Sequence, residues 1–167
     1  METSAQAIGV AVRGTFHRAV DPRFRDAALA GSRTAGRYSR ADQPTLYCSS
    51  SVEGVRAAMQ AHRDARSAEP TIVALDVDAA GIVDLRDPSA RAAAGIELSD
   101  ASAPWQDVVA DGGVPRSWLV RDRLEVLGAD GLIDPSRTEP GRWHLVLFRW
   151  NVEGAPRVRL RAAAAEG

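Results

Sequence analysis

The apolar runs TIVALDV (71–77), GIVDL (81–85) and WHLVLFRW (143–150) are short, rich in β-branched residues, and spaced by segments of helical period. Runs of this length fill the strands of a small sheet and fall short of what a buried helix needs. Helix signals stand between and before them. Residues 103–111 and 115–127 have helical spacing, the second closed by Gly128 as a glycine just past the helix end. Asp78-Ala79-Ala80 reads as a turn between two of the strands. Links of hairpin length alongside helical links predict an α+β fold, a single domain with a mixed sheet and flanking helices, and argue against a doubly wound one.

The first half adds a strand over 8–18 that meets a loop at Asp21-Pro22, and a short strand over 45–48. Between them, GSRTAGRYSRADQP (31–44) is dense in Gly, Ser and Arg and reads as a loop carrying chemistry. A helix is expected over 51–66, with Val52, Val55, Met59 and His62 on one face. Ser50 and Glu53 have the S-x-x-E spacing of a capping box, in which hydroxyl and carboxylate each satisfy a free backbone N–H. Gly131 to Ile133 and Trp143 to Trp150 are the last strands expected, and no repeat of 20 to 50 residues is visible.

A length of 167 residues suits one core, expected over 1–160 with a disordered tail at 161–167. The net charge of −1 gives no general attraction to nucleic acid or anionic lipid. All 21 basic residues are arginine, a pattern that coding bias explains without invoking function. Cys48 is the single cysteine, which excludes an internal disulfide and a cysteine-rich zinc site. No signal-like or membrane-length apolar run is present, so the expectation is a cytoplasmic protein with no membrane partner. The sequence lacks G-x-G-x-x-G, Walker A, H-E-x-x-H and G-x-S-x-G motifs. Its three histidines have no i, i+4 pairing, and no metal is expected.

A few polar residues stand where structure does not plainly require them. Arg37, before a strand, has the planar fork that grips a pyrophosphate, and reads equally as a solvated loop arginine. Tyr47 offers a stacking face and a hydroxyl beside the Ser49-Ser50-Ser51 run, and reads also as a tyrosine at the core edge. Ser49 is a candidate for binding the same ligand. His62 is either a hydrogen-bonded core histidine or a base, Glu53 a helix cap or a carboxylate for chemistry, and Ser136 a turn residue or a ligand contact.

Taken in order, GSRTAGRYSR, QPTLYCSSSVEGVRAAMQAHR, ALDVDAAGIVDLRD, LGADGLIDPSR and WHLVLF resemble the RES-domain family over about residues 13 to 150. The resemblance implies a fold like that of ADP-ribosyltransferase toxins, with NAD as substrate and an Xre-like antitoxin as partner. It places the family arginine on Arg37, its tyrosine on Tyr47 and its serine on Ser136. The family glutamate falls on Met59, which carries no carboxylate. His62, one turn further and about 60° away in direction, is the expected substitute, ahead of Glu53. The implied activity is cleavage of the nicotinamide–ribose bond and transfer of ADP-ribose to a protein acceptor, phosphoribosyl pyrophosphate synthetase being one example in the family. Glycohydrolysis, phosphorolysis and a catalytically silent binding protein are the alternatives.

Overall fold

The computed structural model describes residues 8–61, with side chains through Arg56, together with 70–136 and 141–162. The described strands are β1 (Val10–Val20), β2 (Leu46–Ser49), β3 (Thr71–Asp84), β4 (Gly131–Pro135), β5 (Trp143–Leu147) and β6 (Arg157–Leu160). The described helices are α1 (Val52–Ala61), α2 (Pro88–Ala94), α3 (Leu98–Ser102), α4 (Gln106–Ala110) and α5 (Arg116–Val126). A 3-10 segment, Pro22–Ala30, starts where a loop was expected, with the Asp21 side chain accepting from the Arg23 N–H.

The strands lie in the order β1-β2-β5-β4-β3-β6, and β1 also pairs with β3, so five of them form a closed ring with β6 added outside β3. Only β3 and β4 run parallel; the other pairs are antiparallel. This is the α+β mixed sheet that the sequence predicts. Alternation along each strand sends one set of side chains into the ring and the other toward the helices. Val12, Phe16, Leu46, Cys48, Leu75 and Leu145 pack inside the ring. Tyr38, Leu85, Leu124, Leu132 and Val146 pack on the helix side.

Several elements differ from the sequence reading. The turn expected at Asp78-Ala79-Ala80 lies inside β3, because β1 pairs straight across it through Arg13↔Asp78 and Val12↔Ala79. Tertiary pairing overrides the poor strand preference of Asp and Ala. The real irregularity is Gly81, whose φ of 69° lets β3 bend so that its end, from Ile82 to Asp84, joins β4 in parallel. The expected helix over 103–111 starts at Gln106, because Ala103 precedes a proline and is extended at φ −60°, ψ 148°. The strand expected over 143–150 ends at Leu147. In α1 the cap is Ser51 rather than Ser50, because Gly54 N–H donates to Ser51 Oγ at 3.0 Å. Ser50 instead extends the sheet, its N–H donating to Trp143 O.

Candidate functional site

The loop expected to carry chemistry is held firmly by α5. Three successive carbonyls accept from three α5 side chains: Gly36 O from Trp118 Nε1 at 2.8 Å, Arg37 O from Ser117 Oγ, and Tyr38 O from Arg121 Nη1 at 3.1 Å. Arg121 is 2% exposed, donates also to Thr45 Oγ1, pairs with Glu125 and stacks on Phe148 at 4.7 Å. A paired arginine that also satisfies a buried carbonyl is costly to remove, since both acceptors would be stranded. Arg40 adds a bidentate bridge to Asp122, with both distances 2.8 Å.

The loop is fixed from its other side by two tyrosines. Tyr47, on β2, accepts at its hydroxyl from the Tyr38 N–H at 3.0 Å and shares a 2.7 Å hydrogen bond with Ser39. Burial pushes the Tyr47 hydroxyl above its ordinary pKa, against the opposing pull of Ser39 and the Tyr38 N–H. Gly36 lies so close that a Cβ there would be 2.7 Å from the Tyr47 oxygen. Arg37 lies beside this pair and donates from Nη1 to Ala103 O at 2.7 Å and Ala101 O at 3.2 Å, which ties the loop to the end of α3. Arg37 is therefore anchored rather than a freely solvated loop side chain.

Register then assembles a polar face. Residues directly opposite in antiparallel strands share a face, as do residues two apart along a strand. His17 of β1 pairs with Ser49 of β2, Ser49 with His144 of β5, and His144 with Asp134 of β4. These four residues form one row across four strands. Ser49 Oγ and His144 Nδ1 are 2.7 Å apart. Asp134, 4% exposed, accepts from the Tyr38 hydroxyl at 2.8 Å.

Tyr47 is two residues from Ser49, and Ser136 is two residues from Asp134, so both flank the row on the same face. Pairing persists to Ser136, whose N–H donates to Arg142 O at 2.8 Å. The structure thus brings Arg37, Tyr47, Ser49 and Ser136 to one region. His62 lies outside the described residues, and the side chain of Met59 is outside them as well. Glu53 is exposed at the start of α1.

Sequence reasoning passed over Tyr38, Asp134, His144 and Arg121. A signal was available for two of them: His144 and Asp134 are polar residues set within otherwise apolar strands. Arg18 was missed too. It donates from Nη1 to Tyr47 O at 3.2 Å, while its Nε is buried with no hydrogen-bond partner among the described residues, and burial lowers its pKa.

A cavity of about 500 Å³ opens on the other side of the same strand ends. Its lining includes Phe16, Ser50, Asp84, Arg86, Ile133 and Trp143, and none of the expected site residues. Ser50 and Trp143 are the chain neighbours of Ser49 and His144, so the cavity and the polar row back onto each other. Arg86 lies over the Trp143 ring at 4.6 Å and bonds both oxygens of Asp84. Burial pushes the Asp84 carboxyl up, but the Arg86 contacts outweigh it and hold the group below its ordinary pKa. Among the described residues no group of three or more His, Cys, Asp or Glu side chains is placed to hold a metal, and no helix is long and apolar enough to cross a membrane.

A closed mixed sheet, helices on one side and a polar row beneath a clamped arginine loop define an α+β domain with one candidate site at the strand ends. The chain belongs to the RES domain family, whose model matches residues 15–165. Among curated proteins none matches the sequence. The fold is similar to that of a chain in the crystal structure of the M. tuberculosis MbcT–MbcA toxin–antitoxin complex, with a TM-score of 0.58 and 20% identity. That match covers 95% of this chain and 87% of the other.

Proposed function

We propose that the chain is the toxin of a type II toxin–antitoxin pair, acting in the cytoplasm by cleaving the nicotinamide–ribose bond of NAD and passing ADP-ribose to a protein acceptor. One observation carries this reading. Tyr47 and Ser49 of β2 share one face with the distant Ser136, and the Arg37 loop is fastened beside them through the Tyr38–Tyr47 bond. Family membership supplies the chemical class, and the solved toxin–antitoxin complex of similar fold suggests the partner.

The residues suit a dinucleotide. Tyr47 supplies an aromatic face, Ser49 and Ser136 supply hydroxyls, and Arg37 supplies positive charge for a pyrophosphate. Cleavage passes through an oxocarbenium-like state and releases neutral nicotinamide, so the demand on the protein is positioning and charge stabilisation. In this reading Arg37 holds the pyrophosphate, Tyr47 stacks on nicotinamide, Ser136 and Ser49 bond the carboxamide or ribose, and His62 positions the ribose. An Xre-like antitoxin would cover the face and compete with NAD.

Mass spectrometry of NAD incubated with the protein and cell lysate tests the proposal. Free nicotinamide with labelled protein supports transfer. Nicotinamide with free ADP-ribose or its phosphate indicates a glycohydrolase or phosphorylase instead. Intact NAD in the presence of folded protein would leave a silent RES-like binding protein. Expression without an antitoxin should arrest growth, and normal growth with abundant soluble protein would oppose the toxin reading.

A further inference from the structure

The polar row contains a histidine that the reading above leaves without a task. His144 is at the centre of the face, with Ser49 on one side, Asp134 on the other, and Tyr47 and Ser136 flanking. A histidine in a strand that otherwise packs Leu145, Val146 and Leu147 into two cores gives up apolar burial at that position. Its ring is nevertheless oriented, by a 2.7 Å bond from Nδ1 to Ser49 Oγ. Ser49 is itself held, 5% exposed, with Gly54 of α1 so near that a Cβ there would be 3.4 Å from the Ser49 Cβ. His144 is only partly covered.

We propose that His144 is the base that takes the proton from the acceptor of ADP-ribose, that Ser49 is a positioning residue for its ring, and that the acceptor is therefore a neutral hydroxyl, water or an alcohol. This rests on the NAD reading above. In the tautomer whose Nδ1–H donates to Ser49 Oγ, Nε2 carries the lone pair that the base role needs. The step balances. The bond from the ribose C1′ to the nicotinamide nitrogen breaks, and its electron pair leaves with neutral nicotinamide. The acceptor oxygen bonds to C1′, and the proton it loses passes to Nε2. The imidazolium so formed is opposite the Asp134 carboxylate on the neighbouring strand, a favourable cross-strand charge pairing. A phosphate dianion would need no such base, so the arrangement selects a protonated nucleophile. His62, if it serves the ribose, works on the other partner of the reaction.

Azide separates a base from a scaffold, because it attacks carbon without carrying a proton. Nicotinamide release by the full chain is measured for the wild type, His144→Gln and Ser49→Ala, each with and without sodium azide, beside NAD affinity by calorimetry and thermal melting. His144→Gln should slow release about 100-fold, the usual scale for losing a general base, with NAD affinity unchanged. Azide should restore release in that variant, with an azido-ADP-ribose product, while adding little to the wild type. Ser49→Ala should show a smaller loss with the same azide response, and decides the matter if His144→Gln does not melt cooperatively. Full activity of the variants, or a loss that azide does not restore, overturns the base. A folded wild type that releases no nicotinamide under either condition overturns the NAD reading and the base with it, a result distinct from an active wild type with active variants.

Discussion

The Tyr38 hydroxyl donates to Asp134 Oδ1 at 2.8 Å across 96 residues of sequence, joining the arginine loop to the end of β4 inside a buried setting. A hydrogen bond to a buried carboxylate contributes about 1.5 to 3 kcal/mol, more than one between neutral groups. Tyr38→Phe keeps the ring and removes the donor. Denaturant unfolding should show stability lower by about that amount. Retained stability would mean that Asp134 is fully served by its other contacts.

Arg121 is the strongest of the α5 clamps, since its guanidinium serves Tyr38 O, Thr45 Oγ1 and Glu125 together. Arg121→Leu removes the side-chain donor to the Tyr38 carbonyl, at about 1 to 3 kcal/mol for a buried group left unsatisfied, while Thr45 Oγ1 keeps its donation to Gln43 O. Arg121→Lys should recover only part, because an ammonium lacks the planar fork. Melting temperatures of the two variants test the order, and equal values would show that charge alone suffices.

Arg37→Ala should cost about 1 to 2 kcal/mol, because two donations to the end of α3 disappear. On the proposed function it should also abolish NAD turnover. An unfolding curve and a turnover assay on one preparation check both parts. A variant with normal turnover would remove Arg37 from the site and leave it as an anchor.

Burial pushes the Cys48 thiol from an ordinary 9.0 to about 12, partly opposed by Arg18. The folded state thus favours the protonated form. Its contribution to stability is complete below about pH 9 and is lost as pH rises through about 12. Two results should follow: Ellman's reagent at pH 8 reacts only after denaturant is added, and Cys48→Ala flattens the fall in stability between pH 9 and 12. Rapid reaction in native buffer would place the thiol within reach of solvent.

Gly31 closes the 3-10 segment at φ 77°, and a Cβ there would be 2.6 Å from the Trp150 ring. Gly31→Ala therefore meets both backbone strain and overpacking, each of order 1 to 3 kcal/mol. A drop in melting temperature with lower soluble yield is expected, whereas an unchanged melt would show that Trp150 swings aside despite its bond to Leu29 O.

Most strand positions were legible because β-branched runs report burial directly, whereas the short β6 was passed over; α5 was legible because Gly128 stops it at φ 86°. The helix α2 was passed over although it carries clear signals, in the Asp87 cap, Pro88 and the left-handed Gly95. What the sequence withheld was pairing. Nothing local tells that Asp78 continues a strand, since β1 supplies the reason. Ring closure is likewise a relation between distant segments. For the site, residue types and order pointed to Arg37, Tyr47, Ser49 and Ser136, but the alignment of Ser49, His144 and Asp134 depends on register, which no single segment specifies.

The clamp on the arginine loop has a consequence for synthesis. Arg121 is 83 residues downstream of Tyr38 and His144 is 95 downstream of Ser49, so a ribosome must translate through α5 before the first contact exists and through β5 before the second. A nascent chain that has emerged only through α1 holds the arginine loop without the helix that shapes it and the serine without its histidine. If the finished domain is harmful to its maker, the order of its segments delays that harm until β5 has been made, a window in which a partner already present in the cell can wait.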